Sequence, residues 1–190
     1  MQNNIPGERL NELIDKSKKG DVHAFEIIVR TYQRYAFAVA FRILCCEEDA
    51  KDIVQESFVR IWKHLESYDT NVKFTTWMYK IIVNLCYDKL KSERRKKKLF
   101  DNMTDEIQEI KSLSSVNLEK EFTNKETADL IKNFSKELSA KQKTVFVLRD
   151  MEDLSIQEVV EITGMSESSV KTNLFFARQN IRKKIIELEK

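Results

Sequence analysis

For about six turns, from Val22 to Ile43, apolar side chains recur at alternating spacings of three and four. The stripe reads Val22, Phe25, Ile28 and Val29, Tyr32, Tyr35 and Ala36, Val39 and Ala40, Ile43. A run of that length is an amphipathic helix with one buried face. The rest of the chain has little with which to fold otherwise. Only 3 Gly and 1 Pro (Pro6) occur in 190 residues, so the tight turns of a many-hairpin sheet lack their usual residues. The expected class is all-α.

The same period divides the chain further. A short repeat, Leu10, Leu13 and Ile14, Ser17, precedes the long one and stops at Lys19-Gly20. After a break at Cys45–Glu48 another helix carries Ile53 and Val54, Phe58, Ile61 and Trp62, and Leu65. The stretch SYDTNVKF interrupts it. A third long helix runs from Thr75 through Trp77 and Met78, Ile81 and Ile82, Leu85 and Cys86, to Leu90, and is expected to dissolve into the basic run KLKSERRKKK. These elements make a first domain, residues 1–97. Residues 98–125 hold no sustained period and are rich in Asp, Glu, Asn and Ser, so they read as a flexible linker. At about 28 residues it is longer than most connections within a domain, which sets off residues 126–190 as a second small helical domain.

That second domain is punctuated by caps. Ser139-Ala-Lys-Gln142 and Ser155-Ile-Gln-Glu158 both fit the capping box, in which each end satisfies an orphaned backbone N–H. Gly164 closes a short helix bearing Ile156, Val159 and Val160, and Ile162; Ser166 opens a longer one with a basic outer face. A short amphipathic helix, a turn with Gly and a longer helix is the helix-turn-helix pattern. In the longer helix Val170, Leu174 and Ala177 form the apolar stripe, so Phe175 and Phe176 project about 140° and 240° away from Val170, on the face of Lys171, Thr172, Gln179 and Arg182. Two phenylalanines on the wet side of a helix need a reason. A helix lying in the major groove supplies one, because its N-terminal residues sit at base edges. Ser168, Ser169, Lys171, Thr172, Phe175 and Phe176 lie on or near that surface. Lys171 can donate to guanine, and Thr172 or a ring can touch a thymine methyl. The packing alternative puts one ring under a helix beginning at Thr127. Phe175 is the ring assigned to DNA, and Phe176 the one to be lost from the core if it is buried.

Charge is distributed unevenly. Residues 89–98 carry seven basic residues against Glu93, a net of +6; residues 99–122 carry six acids against Lys111 and Lys120, a net of −4; residues 171–184 carry five basic residues and no acid. On the third long helix Trp77, Tyr79, Lys80 and Asn84 mix aromatic, basic and amide groups just before the basic run, a composition suited to single-stranded nucleic acid. Trp77 also lies on the apolar stripe. The helix opening EEDAKDIVQES is acidic where the helix dipole favours it, and keeps Asp52, Gln55, Glu56 and Arg60 on one exposed face, where a basic helix could dock. Neither CxxC nor HxxxH spacing occurs among Cys45, Cys46, Cys86, His23 and His64, so no metal or other cofactor is expected. No apolar run approaches the roughly 20 residues of a membrane span and no cleavable signal opens the chain, so a cytoplasmic protein is expected.

Taken together, these segments resemble a bacterial sigma factor of the extracytoplasmic-function (ECF) type, in the sigma-70 family. DAKDIVQESFVRIWKHLESYD is similar to the family's core-polymerase-binding helix, and KFTTWMYKIIVNLCYDKLKSERRKKK to the segment that melts and reads the minus-ten element. The stretch from Leu138 to Ile185 is similar to the domain that reads the minus-thirty-five element. The resemblance covers about half the residues in the family's order. It implies a transcription initiation factor, not an enzyme, whose partners are core RNA polymerase (β′ clamp helices and β subunit), promoter DNA and an anti-sigma factor, with no small-molecule substrate. By resemblance Asp49, Asp52, Gln55 and Glu56 face the clamp helices. Lys73, Trp77, Lys80, Asn84, Arg94 and Arg95 meet the minus-ten strand, Asn84 and the loop Ser67–Lys73 holding flipped-out bases. Ser168, Ser169, Lys171, Thr172, Phe175 and Arg178 meet the minus-thirty-five element, and residues 98–125 thread toward the active-site and RNA-exit channels. Phe176 and Asn173 depart from basic residues common in the family, which implies weaker phosphate anchoring or another promoter preference. Two rival readings are a stand-alone helix-turn-helix regulator, against which the basic-aromatic surface of the first domain argues, and a nuclease, for which Asp49 and Asp52 lack partner carboxylates elsewhere.

Overall fold

The computed structural model describes residues 5–101 and 138–188, and among them every regular element is helical. In chain order these are α1 (Gly7–Lys18), α2 (Val22–Leu44), α3 (Glu47–His64), a single 3-10 turn (Leu65–Ser67), α4 (Phe74–Asp101), α5 (Ala140–Phe146), a π-helical turn (Val147–Met151), α6 (Ile156–Thr163) and α7 (Glu167–Leu188). The expected linker beyond Asp101 and the helix expected at Thr127 lie outside the described residues.

Local chemistry sets most of the boundaries. Gly20 takes φ 89° after α1, and Asp21 caps α2 by accepting the Ala24 N–H at 3.1 Å. Both capping boxes form: Ser139 with Gln142 at the start of α5, and Ser155 with Glu158 at the start of α6. Gly164 ends α6 at φ 67°, the left-handed conformation that glycine adopts without cost. Two boundaries differ from expectation. The break between α2 and α3 narrows to Cys45 and Cys46, because Cys45 itself turns left-handed at φ 57° and gives its N–H to the Phe41 carbonyl at 2.7 Å. The third long helix does not dissolve in the basic run: α4 continues through it to Asp101. Lys and Arg are good helix formers and no Gly or Pro interrupts, while Lys89 Nζ is held by Asp49 of α3 at 2.5 Å.

The first unit packs around α2, whose Ala36, Val39, Ala40 and Ile43 are fully buried; two alanines in that stripe let α3 and α4 come close. Tyr68 plugs the end of α3, donating to the Val72 carbonyl at 2.5 Å and packing its ring against Phe74 and Trp77. In the second unit Val145, Leu148, Val159, Ile162, Val170, Leu174 and Ala177 are buried between α5, α6 and α7. The two units are not apart. α6 lies along α4, the π-turn meets α2, and their apolar residues join in one continuous core.

Candidate nucleic-acid and polymerase interfaces

Three surfaces carry the residues singled out in the sequence. On α3, Asp52, Gln55, Glu56 and Arg60 are all exposed, and Glu56 is held by Arg60 Nε at 2.8 Å, one turn on. Asp49 stands apart from them. It is half-buried and turned to Lys89 of α4. Burial alone would raise its pKa, but the Lys89 ammonium and a hydrogen bond with Cys46 bring it below the usual carboxylate value. Val59, one turn beyond Gln55 and Glu56, adds an exposed apolar side chain to the acidic face. The sequence signal for it was available: Val59 falls off the stripe of Ile53, Phe58 and Ile61.

On α4, Lys80, Asn84, Arg94 and Arg95 are exposed and Trp77 is half-buried against Tyr68. Because α4 is one unbroken helix, residues at spacings of seven, four and eleven share a face. Lys80, Asn84, Lys91 and Arg95 therefore line one stripe, with Trp77 and Lys73 on the same side at its start. Fifteen residues separate Lys80 from Arg95, a span of about 22 Å at the helical rise. Among the described residues no carboxylate lies within ion-pair distance of Lys80, Lys91, Arg94 or Arg95. Lys91 was missed from sequence because the helix was expected to end before it counted.

On α7, Ser168, Lys171, Thr172, Phe175 and Phe176 are exposed. Phe175 is 63% exposed and Phe176 45%, with ring centroids 5.6 Å apart, edge to face. Burial of Phe176 against the preceding helices is thus not found; each ring leans on the other. Ser169 turns inward instead. It is half-buried, its hydroxyl donating toward Met165 Sδ at 3.8 Å and accepting from Asn173 Nδ2 at 3.3 Å. Arg178 is also occupied: its guanidinium grips both oxygens of Asp150 at 2.8 and 2.6 Å. Lys171 pairs with Glu167 at 2.6 Å.

A fourth set of contacts, unseen in the sequence, crosses the seam between the units. Arg42 of α2 pairs with Glu152, the residue following the π-turn, and the Tyr79 hydroxyl of α4 donates to the other oxygen at 3.2 Å. Burial pushes the Glu152 carboxyl up, and Arg42 and Tyr79 pull it partly back. Lys73 donates to Glu158 of α6 at 2.8 Å, and Lys143 reaches Cys45 Sγ at 3.7 Å. Cys86 is buried, which pushes its thiol up to about 12. No group of His, Cys, Asp or Glu among the described residues could hold a metal ion, and no described helix is long and apolar enough to cross a membrane.

Residues 28–96 match the sigma-70 region 2 family and residues 129–181 the sigma-70 region 4 family. The chain is 32% identical to the ECF RNA polymerase sigma factor SigW of Bacillus subtilis over 187 residues, covering 94% of this chain and 98% of that one. The chain belongs to the ECF sigma factors. The ECF sigma-E factor of Haemophilus influenzae is 28% identical over 91% of this chain and 93% of its own length. Two solved structures share the fold of this sigma factor at a TM-score of 0.67. They are CnrH in complex with the cytosolic domain of CnrY, 22% identical over 97% of this chain and all of that one, and RpoE in complex with the anti-sigma factor NepR from Bartonella quintana, 19% identical over 89% of this chain and all of that one. This ECF sigma factor is a DNA-binding transcription initiation factor that works with core RNA polymerase.

Proposed function

We propose the following division of labour. Residues 1–97 bind core polymerase and the minus-ten element, residues 98–125 link, and residues 126–190 read the minus-thirty-five element. Asp52, Gln55 and Glu56 receive a basic helix of the polymerase clamp, with Val59 adding apolar contact; Asp49 acts behind them by fixing α3 to α4. Lys80, Asn84, Lys91, Arg94 and Arg95 track the minus-ten strand, on which Trp77 and Asn84 engage unstacked bases. Lys171, Thr172, Phe175 and Phe176 meet the minus-thirty-five major groove, with Ser168 at its edge. The protein carries no catalytic group of its own, acts in the bacterial cytoplasm, and binds an anti-sigma factor, as RpoE binds NepR.

The observation that carries this reading is the stripe on α4. A helix surface that places an amide and several carboxylate-free cations in phase over about 22 Å suits a nucleic-acid strand better than a protein partner. Run-off transcription with added core polymerase on a library of random upstream sequences tests it, together with Asn84→Ala. The selected promoters should share two elements, and Asn84→Ala should slow open-complex formation on duplex and on a premelted bubble alike. A bubble that restores the wild-type rate removes Asn84 from base reading. In the same assay Asp52→Arg with Glu56→Arg should abolish co-purification with core polymerase at unchanged helical content, since each like-charge contact at an interface costs several kcal/mol.

A further inference from the structure

We infer that Lys18, the last residue of α1, and the Tyr68 hydroxyl are positioning residues for Trp77, holding its ring where an unstacked base of the minus-ten strand can lie on it. The consequence for promoter binding rests on the reading of Trp77 proposed above; the brace itself rests on geometry alone. A stacking platform has to be still before the base arrives, because ordering it on contact subtracts from the affinity. Trp77 stands in the first turn of α4, and helix ends fray. Its N–H finds the Lys73 carbonyl at 3.1 Å, but that bond starts in an exposed loop: Asp69, Thr70, Asn71 and Lys73 are all open to solvent. What stills the ring has to come from elsewhere.

It comes from Tyr68. Its ring is buried and lies 4.9 Å from Trp77 and 5.7 Å from Phe74, centroid to centroid. Its hydroxyl donates to the Val72 carbonyl, across a turn that the Val72 N–H closes on the Asp69 carbonyl at 3.1 Å. Asp69 Oδ1 stiffens that turn by accepting from the Asn71 N–H and from Asn71 Nδ2, each at 2.9 Å. Burial and then the Asp69 carboxylate push the Tyr68 phenol above its usual value, so it stays a donor through neutral pH. α1 holds Tyr68 from outside. The half-buried Lys18, 50 residues back in the chain, donates to the Tyr68 carbonyl at 3.1 Å. The same ammonium sits 5.8 Å from the centre of the Tyr68 ring, within cation–π reach. One lysine thus holds both the backbone and the ring of the residue on which Trp77 leans. An ammonium used in that way is not offered to a phosphate, so its effect on the strand runs through Trp77.

Full-length wild type, Tyr68→Phe, Lys18→Met and Lys18→Arg, each assembled with core polymerase on a premelted promoter, test the proposal. An abasic scan of the non-template minus-ten strand first finds the base whose removal weakens binding of the wild type but not of Trp77→Ala. With that base present, Tyr68→Phe and Lys18→Met should each bind about 3- to 10-fold more weakly, the worth of one hydrogen bond. With it absent, both should bind as the wild type does. Lys18→Arg, which keeps a donor and a cation over the ring, should stay within about twofold of wild type. Equal weakening with and without the base means a merely structural part and overturns the positioning role. So does a salt slope lowered by about 0.7 in Lys18→Met, one phosphate contact on a single strand. In the free full-length protein, hydrogen exchange over residues 69–77 reads the brace by itself. It should quicken at least about threefold in Tyr68→Phe and Lys18→Met as local opening becomes easier, at unchanged helical content; unchanged exchange overturns the brace. If Lys18→Met loses helix, Tyr68→Phe decides alone. If no base answers to Trp77→Ala in the scan, the reading of Trp77 fails and the positioning role with it, while exchange still judges the brace.

Discussion

α4 and α7 both present basic surfaces, but they hold their charge differently. On α4 the cations from Lys80 to Arg95 stand clear of carboxylates among the described residues, apart from Lys89, which Asp49 takes. On α7 three of the five between residues 171 and 184 are tied: Lys171 to Glu167, Arg178 to Asp150, Lys184 to Glu187. What sets α7 apart is apolar, the exposed rings of Phe175 and Phe176, with Arg182 and Lys183 exposed further along. The proposed assignments thus give the two helices two kinds of recognition to perform. Under them α4 is an electrostatic track whose binding should depend strongly on salt, and α7 a contact surface whose selectivity should come from shape and methyl groups.

Three measurements break or sharpen that contrast. The largest effect belongs to α4. Arg94→Ala with Arg95→Ala should lower open-complex formation by about 10- to 100-fold at physiological salt, and lower the salt slope by about 1.4, two phosphate contacts on a single strand. An unchanged slope would mean the exposed guanidinia of α4 do not meet phosphates. Next comes Phe175→Ala. It should cost about 1–3 kcal/mol of promoter discrimination with the salt slope unchanged, and the loss should centre on one thymine. Uracil at that position should weaken the wild type and leave the variant almost unaffected. Since the ring is exposed, the melting temperature should move by less than the several degrees that a lost core contact gives. The smallest effect is that of Arg178→Ala. It should cost no more than about 1 kcal/mol of stability, the worth of an exposed bidentate pair, and leave DNA affinity nearly unchanged. If instead the salt slope falls by nearly one unit, Arg178 leaves Asp150 for phosphate, and α7 is more like α4 than its resting geometry suggests.

Much of the fold was legible because its signals are local. Stripes at spacings of three and four place α1 to α4, and the capping boxes at Ser139 and Ser155 mark α5 and α6 within a residue, since each box closes on its own neighbours. The site was legible where exposure follows from helical phase, as at Asp52, Lys80 and Phe175. Elsewhere a partner distant in sequence decided the outcome. Nothing near Arg178 says that Asp150 will hold it, and nothing near Arg42 points 110 residues ahead to Glu152. The half-burial of Ser169 was not legible for a subtler reason: small hydroxyl residues at a helix start can face outward or bond back to the turn, and here Met165 and Asn173 engage the hydroxyl. The length of α4 was underestimated because the apolar stripe fades at Leu90, whereas helix persistence depends on propensity, which lysine and arginine satisfy without a core.

The unbroken course of α4 through the basic run also gives that segment a phase. An extended tail of lysines and arginines would tolerate insertion or loss of a residue, since only the number of charges would matter. On a helix, one residue added between Asn84 and Lys91 turns everything beyond it by about 100°, carrying Arg95 away from the face of Lys80 with no charge lost. Four added residues nearly restore the alignment and lengthen the stripe by about 6 Å. Variation in this stretch is therefore constrained by rotation more than by composition: substitutions among basic residues are cheap, and single-residue insertions or deletions are not.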